Sequence, residues 1–327
     1  MQNKAFGLMK FSKYTVVFSA LVILATIVVF ITQGFVMGID FSGGTLLTLD
    51  MGKTFGNTEA AALQNVVDPV IPGDFQVAAS NNQCIIRFQA AKDKPDEEMA
   101  LRESLMAEIK KVYPDVKMVN QDYVGATAGD QMIANALISV AIASGMMLAY
   151  IWYRFEFAFA VGAIAALLHD VIIMAAVMLF TRTQINSTFI AALLTIIGFS
   201  VNDTIVLFDR IRENVKRYKD MSREEIVELS FSETLTRTIN TSLTVFVTIT
   251  ALYIVGVQSI KEFALPLIAG TVSGVYSTIM FASPIWVWIH RGMDNRRKRK
   301  LEERKQGKGG KNNKAKNGKP KPAKSKV

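Results

Sequence analysis

Apolar residues in this chain do not keep the three-to-four spacing of a surface helix; they run on almost unbroken, several times over. Six runs reach the roughly 20 residues that a helix needs to cross a hydrocarbon core. They are Tyr14–Phe35, Met132–Trp152, Phe157–Phe180, Ser187–Phe208, Thr238–Val257 and Phe263–Ile289. Buried helices of soluble proteins rarely run this long without charge, so the pattern predicts a polytopic α-helical membrane protein with six transmembrane helices. The fourth run holds Asp203 and the fifth a cluster of Thr, Ser and Asn.

Between the first and second runs the pattern changes. "GIDFSGGTLLTLDM" predicts a strand with a glycine turn inside it, and Thr58–Val67, behind an Asn57 cap and closed by Asp68-Pro69, predicts a helix. "DFQVAAS" and "NQCIIRFQ" predict two strands joined near Asn81-Asn82. "DEEMALRESLMAEIKKV" sets Met99, Leu101, Leu105, Met106 and Ile109 along one helical face, with acids in the first turn and lysines in the last. "VKMVNQDYV" is a final strand. The order βαββαβ predicts a ferredoxin-like α+β external domain over residues 37–130. It leaves a cytoplasmic N-terminus (1–13), a first span (14–36), a five-helix bundle (131–290) containing a charged segment (209–237), and a tail (291–327).

Charge orients this layout, because short cytoplasmic loops are enriched in Lys and Arg. Lys4, Lys10 and Lys13 precede the first run, Arg154 sits in "WYRFEF", and the segment 209–237 is densely charged. Only Arg182 and Lys261 fall in the loops on the other side. Both termini are therefore expected in the cytoplasm. The first run is longer than the apolar core of a signal peptide and no A-x-A-like site follows it, so it reads as an uncleaved span. The tail holds 16 Lys and Arg against three acids, which leaves the rest of a +9 chain at −4. Its Gly, Asn, Pro and Lys content predicts disorder. It reads either as a solvated topology determinant or as a contact for anionic lipid or ribosomal RNA.

Candidate chemistry is sparse outside the spans. A single cysteine, Cys84, excludes an intrachain disulfide and reads as a strand-core thiol. The external domain has no Ser-His-Asp set, no metal spacing and no phosphate loop, which points away from an enzyme and from a bound cofactor. Inside the spans the residues are more telling, since an ionised group in hydrocarbon costs several kcal/mol and is a functional candidate by default. His169 and Asp170 sit mid-way along the third run and read either as hydrogen-bonding glue between helices or as part of an ion relay. Asp203, beside Asn202, lies on the order of 8 Å from the cytoplasmic end of the fourth run, and Asp170 on the order of 12 Å deeper. Arg237 opens the fifth run, where its side chain can reach inward to Asp203, with Asn240, Thr241 and Ser242 along the same path. A carboxylate beside a guanidinium that cannot deprotonate holds or releases its proton according to whether that partner is near. The alternative is a static ion pair. Gly270 and Gly274 form a G-x-x-x-G step for close helix packing.

One span, an external domain and five clustered spans is also the layout of half a resistance-nodulation-division (RND) exporter. Four strings narrow this: "GIDFSGG" after the first span, "HDV" in the third, "GFSVNDTIVLFDRIREN" across the fourth and "SETLTRTINTSLT" into the fifth. Together, over roughly residues 10–290, they resemble the SecD/SecF family of protein-export membrane subunits, on its SecF side. The resemblance implies a multi-pass protein of the bacterial cytoplasmic membrane that acts with SecD, as a separate chain, beside the SecYEG translocon. It implies use of the proton or sodium gradient, with H⁺ or Na⁺ as the transported ion, in late steps of preprotein export. The family ties a fourth-span Asp and a fifth-span Arg to ion coupling; these fall on Asp203 and Arg237, with Asn202, Asp170 and His169 as further candidates. Gly38, Asp40, Gly43 and Gly44 carry the family's glycine motif. Alternatives are a small-molecule or lipid exporter of the same superfamily, for which the external domain is small, and a passive translocon scaffold.

This topology is checked by cysteine-accessibility labelling on a background in which Cys84 is replaced. Cysteines placed in 37–130 should react with an impermeant reagent in intact cells, and cysteines in 210–237 or the tail should not. Labelling of the tail from outside would overturn the orientation.

Overall fold

The computed structural model describes residues 7–71, 75–80, 82–88 and 95–293. The start of the N-terminal segment, residue 81 of the hairpin and the tail beyond residue 293 lie outside them. Six helices are long and apolar enough to cross a membrane. They are α1 (Leu8–Gln33), α5 (Ala126–Arg154), α6 (Phe157–Phe180), α7 (Ser187–Arg217), α8 (Arg223–Val255) and α9 (Gln258–Ser277). α9 passes through a π-helical turn, Thr278–Ala282, and resumes as α-helix to residue 293.

The six do not share the core equally. Half of the most apolar window is buried in α6, α7 and α9, against 11% in α1 and α8 and none in α5. Three central helices thus pack on each other and three lie around them. Small residues set the approach of the central three. A Cβ on Gly270 would lie 2.6 Å from Ile196 and 2.9 Å from Met174 Sδ, so α9 meets α7 and α6 only because that position has no side chain. Gly162 of α6 plays the same part against the π-turn, where a Cβ would lie 2.8 Å from the Ala282 carbonyl oxygen. At the end of the bundle away from the sheet domain Phe159 stacks on Trp286 and tilts against Phe208, closing the core with aromatic area.

The charged segment between the fourth and fifth spans is not a loop. α7 and α8 run on beyond the apolar stretches and are joined by a turn over 218–222, where Ser222 caps α8 and Glu225 closes a capping box. Arg210 holds Glu233 at 2.7 Å and Glu213 at 2.5 Å, and buried Asn214 donates to Ser230 and Glu233. The bonds to Ser230 and Glu233 fasten the two helices beyond their apolar stretches, while Arg210–Glu213 lies within α7.

The external domain has the order β1 (Gly44–Asp50), α3 (Asn57–Val67), β2 (Phe75–Ser80), β3 (Gln83–Phe88), α4 (Pro95–Val112), β4 (Lys117–Val124). Its sheet is antiparallel with strand order β2-β3-β1-β4, the ferredoxin-like arrangement predicted from the sequence. Alternation decides which face is buried: Leu47, Leu49, Cys84 and Ile86 point at Leu63, Leu105 and Ile109, all fully buried. The opposite face carries Gln76, Arg87 and Leu46, aligned across three strands. Three local expectations are corrected. "GIDF" is not strand but a helical turn, α2 (Ile39–Ser42), and β1 begins only at Gly44. α3 starts one residue early, with Gly56 as its cap, because the Gly56 N–H bonds to Glu59. Met99 is 54% exposed, since Leu101, Leu105 and Ile109 at four-residue spacing already define the buried face of α4.

Burial pushes the Cys84 thiol up to about 12. The thiolate is the reactive form, so alkylation at pH 8 should be about 10³-fold slower in the folded protein than in denaturant. Comparable rates in the two states would mean that the domain core opens readily.

Candidate functional site

The segment after α1 is wedged between the external domain and the bundle. Gly38 N–H donates to the Ile185 carbonyl and Ile185 N–H to that of Val36, both at 2.8 Å, so the chain lies as a short bridge along the entry to α7. A Cβ on Gly38 would lie 2.8 Å from Asn186 Cβ. Asp40, in α2, accepts the backbone N–H of Ser187 at 2.9 Å and thereby caps α7 from outside. Gly43 and Gly44 have φ of 71° and 130°, the region that favours glycine, and turn the chain from α2 into β1. All four motif residues therefore act at the joint between domain and membrane.

Asp170 is completely buried in α6. Its Oδ2 accepts the hydroxyls of Ser200 (2.6 Å) and Ser277 (2.8 Å), and its Oδ1 that of Ser273 (2.6 Å). His169 Nδ1 lies 3.3 Å from Oδ1. The chain continues from His169 Nε2 to Ser19 Oγ (3.1 Å), from Ser19 to Tyr276 OH (3.0 Å), and from Tyr276 OH to the Thr15 carbonyl (2.9 Å). Donors can be followed along it. The phenol spends its one proton on Thr15, so Ser19 donates to Tyr276, and His169 Nε2–H must donate to Ser19. The Ser273 hydroxyl also lies 3.4 Å from Nδ1. The pair is surrounded by hydroxyls and joins α1, α6, α7 and α9. Buried polar groups with their hydrogen bonds satisfied are tolerable where unpaired ones are not.

Asp203, in α7, is also buried, but it is provided for differently. Among the described residues the only hydrogen bond to its carboxylate comes from Ser242 of α8, at 3.3 Å. No ion pair joins it to Arg237 within 4.0 Å among these residues, and Arg237, Asn202, Asn240 and Thr241 are exposed on the surface of the chain. The expected Asp203–Arg237 contact is thus absent in this arrangement, although both side chains belong to the α7/α8 seam. Asp170 is not 12 Å deeper than Asp203: it touches Ser200, one turn before Asp203 and about 4.5 Å along the axis. The depth count failed because it ran along each helix separately and ignored how they cross. One turn after Ser200, Thr204 bonds to Thr278 at 2.9 Å, so the π-turn sits beside both carboxylates' neighbours.

Ser19, Ser200, Ser273, Tyr276 and Ser277 are the residues that sequence reasoning missed, whereas Ser242, named there on the path to Asp203, does bond to it. Ser273 and Ser277 stand four apart on the face that also carries Gly270 and Gly274, and small polar residues at that spacing were the available signal. Gly274 itself lies against Ser200, where a Cβ would sit 3.4 Å from Ser200 Cβ.

The family described as protein export membrane protein SecD/SecF, C-terminal, matches residues 104–292, and the SecD/SecF GG motif matches residues 28–54. The protein translocase subunit SecF of Sebaldella termitidis is 34% identical over 288 residues, covering 87% of this chain and 92% of its own length. The protein translocase subunit SecDF of Bacillus subtilis is 36% identical over 285 residues, covering 84% of this chain but 37% of its own. Among solved structures, SecDF of Thermus thermophilus, a translocon-associated membrane protein, superposes with a TM-score of 0.77 at 29% identity. That match covers 88% of this chain and 39% of the SecDF chain, so the present chain spans about two-fifths of that structure.

The hydroxyl-lined pair should behave as a structural anchor. Asp170→Ala leaves His169 and three buried serine donors without their partner and should cost about 3 kcal/mol or more. Ser200→Ala, which removes one donor among several, should cost about 1 kcal/mol. Thermal unfolding of the purified protein in detergent checks both; an unchanged transition for Asp170→Ala would show that the cluster does not hold the helices.

Proposed function

We infer the function of this chain from what it is: it belongs to the SecD/SecF family of protein export membrane proteins. Its role is that of the SecF subunit in Sec-dependent protein export, in concert with SecD. Beyond that role, our reading is that the chain lies in the bacterial cytoplasmic membrane with both termini inside. There it couples the proton or sodium gradient to late steps of preprotein movement through SecYEG, and Asp203 is the group that takes up and releases the ion.

The observation that carries the reading is the contrast between the two buried aspartates. Asp170 has both oxygens occupied by serine hydroxyls and His169 beside it, and it is read as the fixed frame. Asp203 has one long hydroxyl bond, and its neighbours Asn202 and Arg237 stand on the open face of the seam. An unpaired carboxylate in a dry site holds a proton; one that meets a guanidinium gives it up. Movement of α8 or of a partner helix that carries Arg237 toward Asp203 would expel the ion, and separation would admit the next. This arrangement, with the pair apart, is read as the ion-holding state.

The same face supports a partner. Arg237, Asn240, Thr241, Thr244 and Thr248 form one exposed stripe of α8, and Asn202 and Thr195 are exposed on α7. The threonines of α8 bond back to their own helix, but the Arg and Asn side chains retain donors that hydrocarbon cannot satisfy. Another membrane helix bundle must cover them. SecDF chains, of which this one matches about two-fifths, supply the candidate: SecD, here as a separate chain. The basic tail remains a candidate contact for anionic lipid or ribosomal RNA.

The test is preprotein translocation into vesicles with and without an imposed ion gradient. Asp203→Asn and Arg237→Ala should remove the gradient-dependent increment by about tenfold or more while preserving protein level and assembly with SecD. Asp209→Asn, water-exposed and paired to Arg212, should cost little. Retention of the full increment by Asp203→Asn would make this residue structural.

A further inference from the structure

The outer end of α7 is held by a set of polar bonds that the export role does not itself require. Asn186 is the N-cap of this helix: its Oδ1 accepts the Phe189 N–H at 3.1 Å and the Thr188 hydroxyl at 2.5 Å. Its Nδ2 donates to Glu262 Oε2, on the first turns of α9, at 2.9 Å. The other oxygen of Glu262 accepts Arg87 of β3 at 2.7 Å. These two side chains are 11% and 6% exposed, so water does little to screen the pair. One residue on, the Ser187 N–H is held by Asp40 of α2, which leads directly into β1. Two residues back, Gln184 donates to Gln76 of β2 at 3.0 Å. Gln76 and Arg87 are direct cross-strand partners on the face of the sheet that the helices α3 and α4 leave free.

We propose that Arg87, Glu262 and Asn186, with Asp40, are the positioning residues through which α7 moves the external domain. The inference rests on the reading of Asp203 as the ion-binding group. α7 carries Asp203 in its interior and this clasp at its outer end. The helix is continuous between them, so a shift at Asp203 arrives at Asn186 as a displacement. Asn186 bonds simultaneously to α9 and to its own helix cap, and Glu262 bonds simultaneously to α7 and to the sheet. A change in the α7–α9 offset therefore cannot leave the Arg87 pair untouched. Three of the four strands are reached: β3 by Arg87, β1 through Asp40, β2 by Gln76. A single contact would let the sheet pivot, whereas three make it follow. The clasp borders a cavity of about 370 Å³ lined in part by Asp40, Arg87, Asp122, Asn186 and Glu262, which gives these side chains room to exchange partners.

The experiment separates ion movement from export. Arg87→Glu, Glu262→Arg and the double exchange would each be reconstituted with SecD and the translocon, with Asp203→Asn in parallel. Ion flux, gradient-dependent preprotein translocation and SecD co-purification would be read on the same vesicles. Each single variant should lose about tenfold of the gradient-dependent increment while keeping ion flux within about twofold of the unaltered protein, and the double exchange should restore the increment. Singles that keep the increment, or that lose flux and increment in the same proportion, would overturn the clasp as a transmission element. So would a double exchange that fails to recover although SecD still co-purifies. If the clasp variants behave as expected but Asp203→Asn keeps its increment, the ion-binding assignment fails and the clasp transmits some other input.

Discussion

A carboxylate within a bilayer must be fully hydrogen-bonded beside a cation, or it must be neutral; water is not there to supply a third solution. The architecture of this protein follows from meeting that constraint twice, in two ways, on neighbouring helices: Asp170 of α6 bonds to Ser200 of α7, one turn before Asp203. Asp170 is met by three serine hydroxyls and His169. Those donors come from α6, α7 and α9, and His169 extends the network to α1 through Ser19 and Tyr276. Satisfying this buried carboxyl group is thus the same event as assembling four helices in register. Asp203, also buried, has a single hydroxyl among the described residues. The two carboxylates thus differ in how many donors hold them, which is the contrast the proposed ion-binding role rests on.

Packing makes this division workable. The central helices approach on glycines, Gly270 against Ile196 and Met174 and Gly162 against the π-turn, which brings backbones close enough for short serine side chains to reach Asp170. Larger residues would hold α9 away and leave the aspartate unpaired. The π-turn at Thr278–Ala282 bends the hydrogen-bond pattern of the last helix at the level where Thr278 meets Thr204 and Ser277 meets Asp170. π-turns are uncommon and gather at functional sites. Here one places Ser277 against α6 and the adjacent Thr278 against α7.

What the sequence made legible were features that act locally or by exclusion. Six apolar runs, the strand and helix periods of the external domain, and isolated charges such as Asp203 and Arg237 stand out because each breaks or keeps a pattern within a few residues. Ser19, Ser200 and Ser273 did not stand out, since a serine in a membrane helix is ordinary and usually bonds to its own backbone; only the fold shows which of them face a carboxylate. Arg87 and Glu262 are 175 residues apart, and each alone reads as a surface charge. The offset between Asp170 and Asp203 was misjudged for the same reason: depth along one helix says nothing about where a second helix crosses it. "GIDF" read as strand from its composition, but Asp40 and Ser187 draw it into a helical turn, a tertiary contact overriding local preference.

Scale decides whether α7 can carry a signal outward. Its 31 residues span about 46 Å, and Asp203 lies about 26 Å from the Asn186 cap. A tilt of about 5° at Asp203 would then displace the cap by about 2 Å, which already exceeds the tolerance of a hydrogen bond. The Asn186–Glu262–Arg87 bonds are therefore matched to motions that the packed bundle can make without being taken apart. At the opposite end the Arg210–Glu233 and Asn214 bonds fasten α7 to α8. On the proposed reading, a helix held at one end, carrying Asp203 in its interior and tied to a sheet at the other end acts as a lever. The few side chains that fix its ends would then decide whether ion binding is felt by the sheet domain.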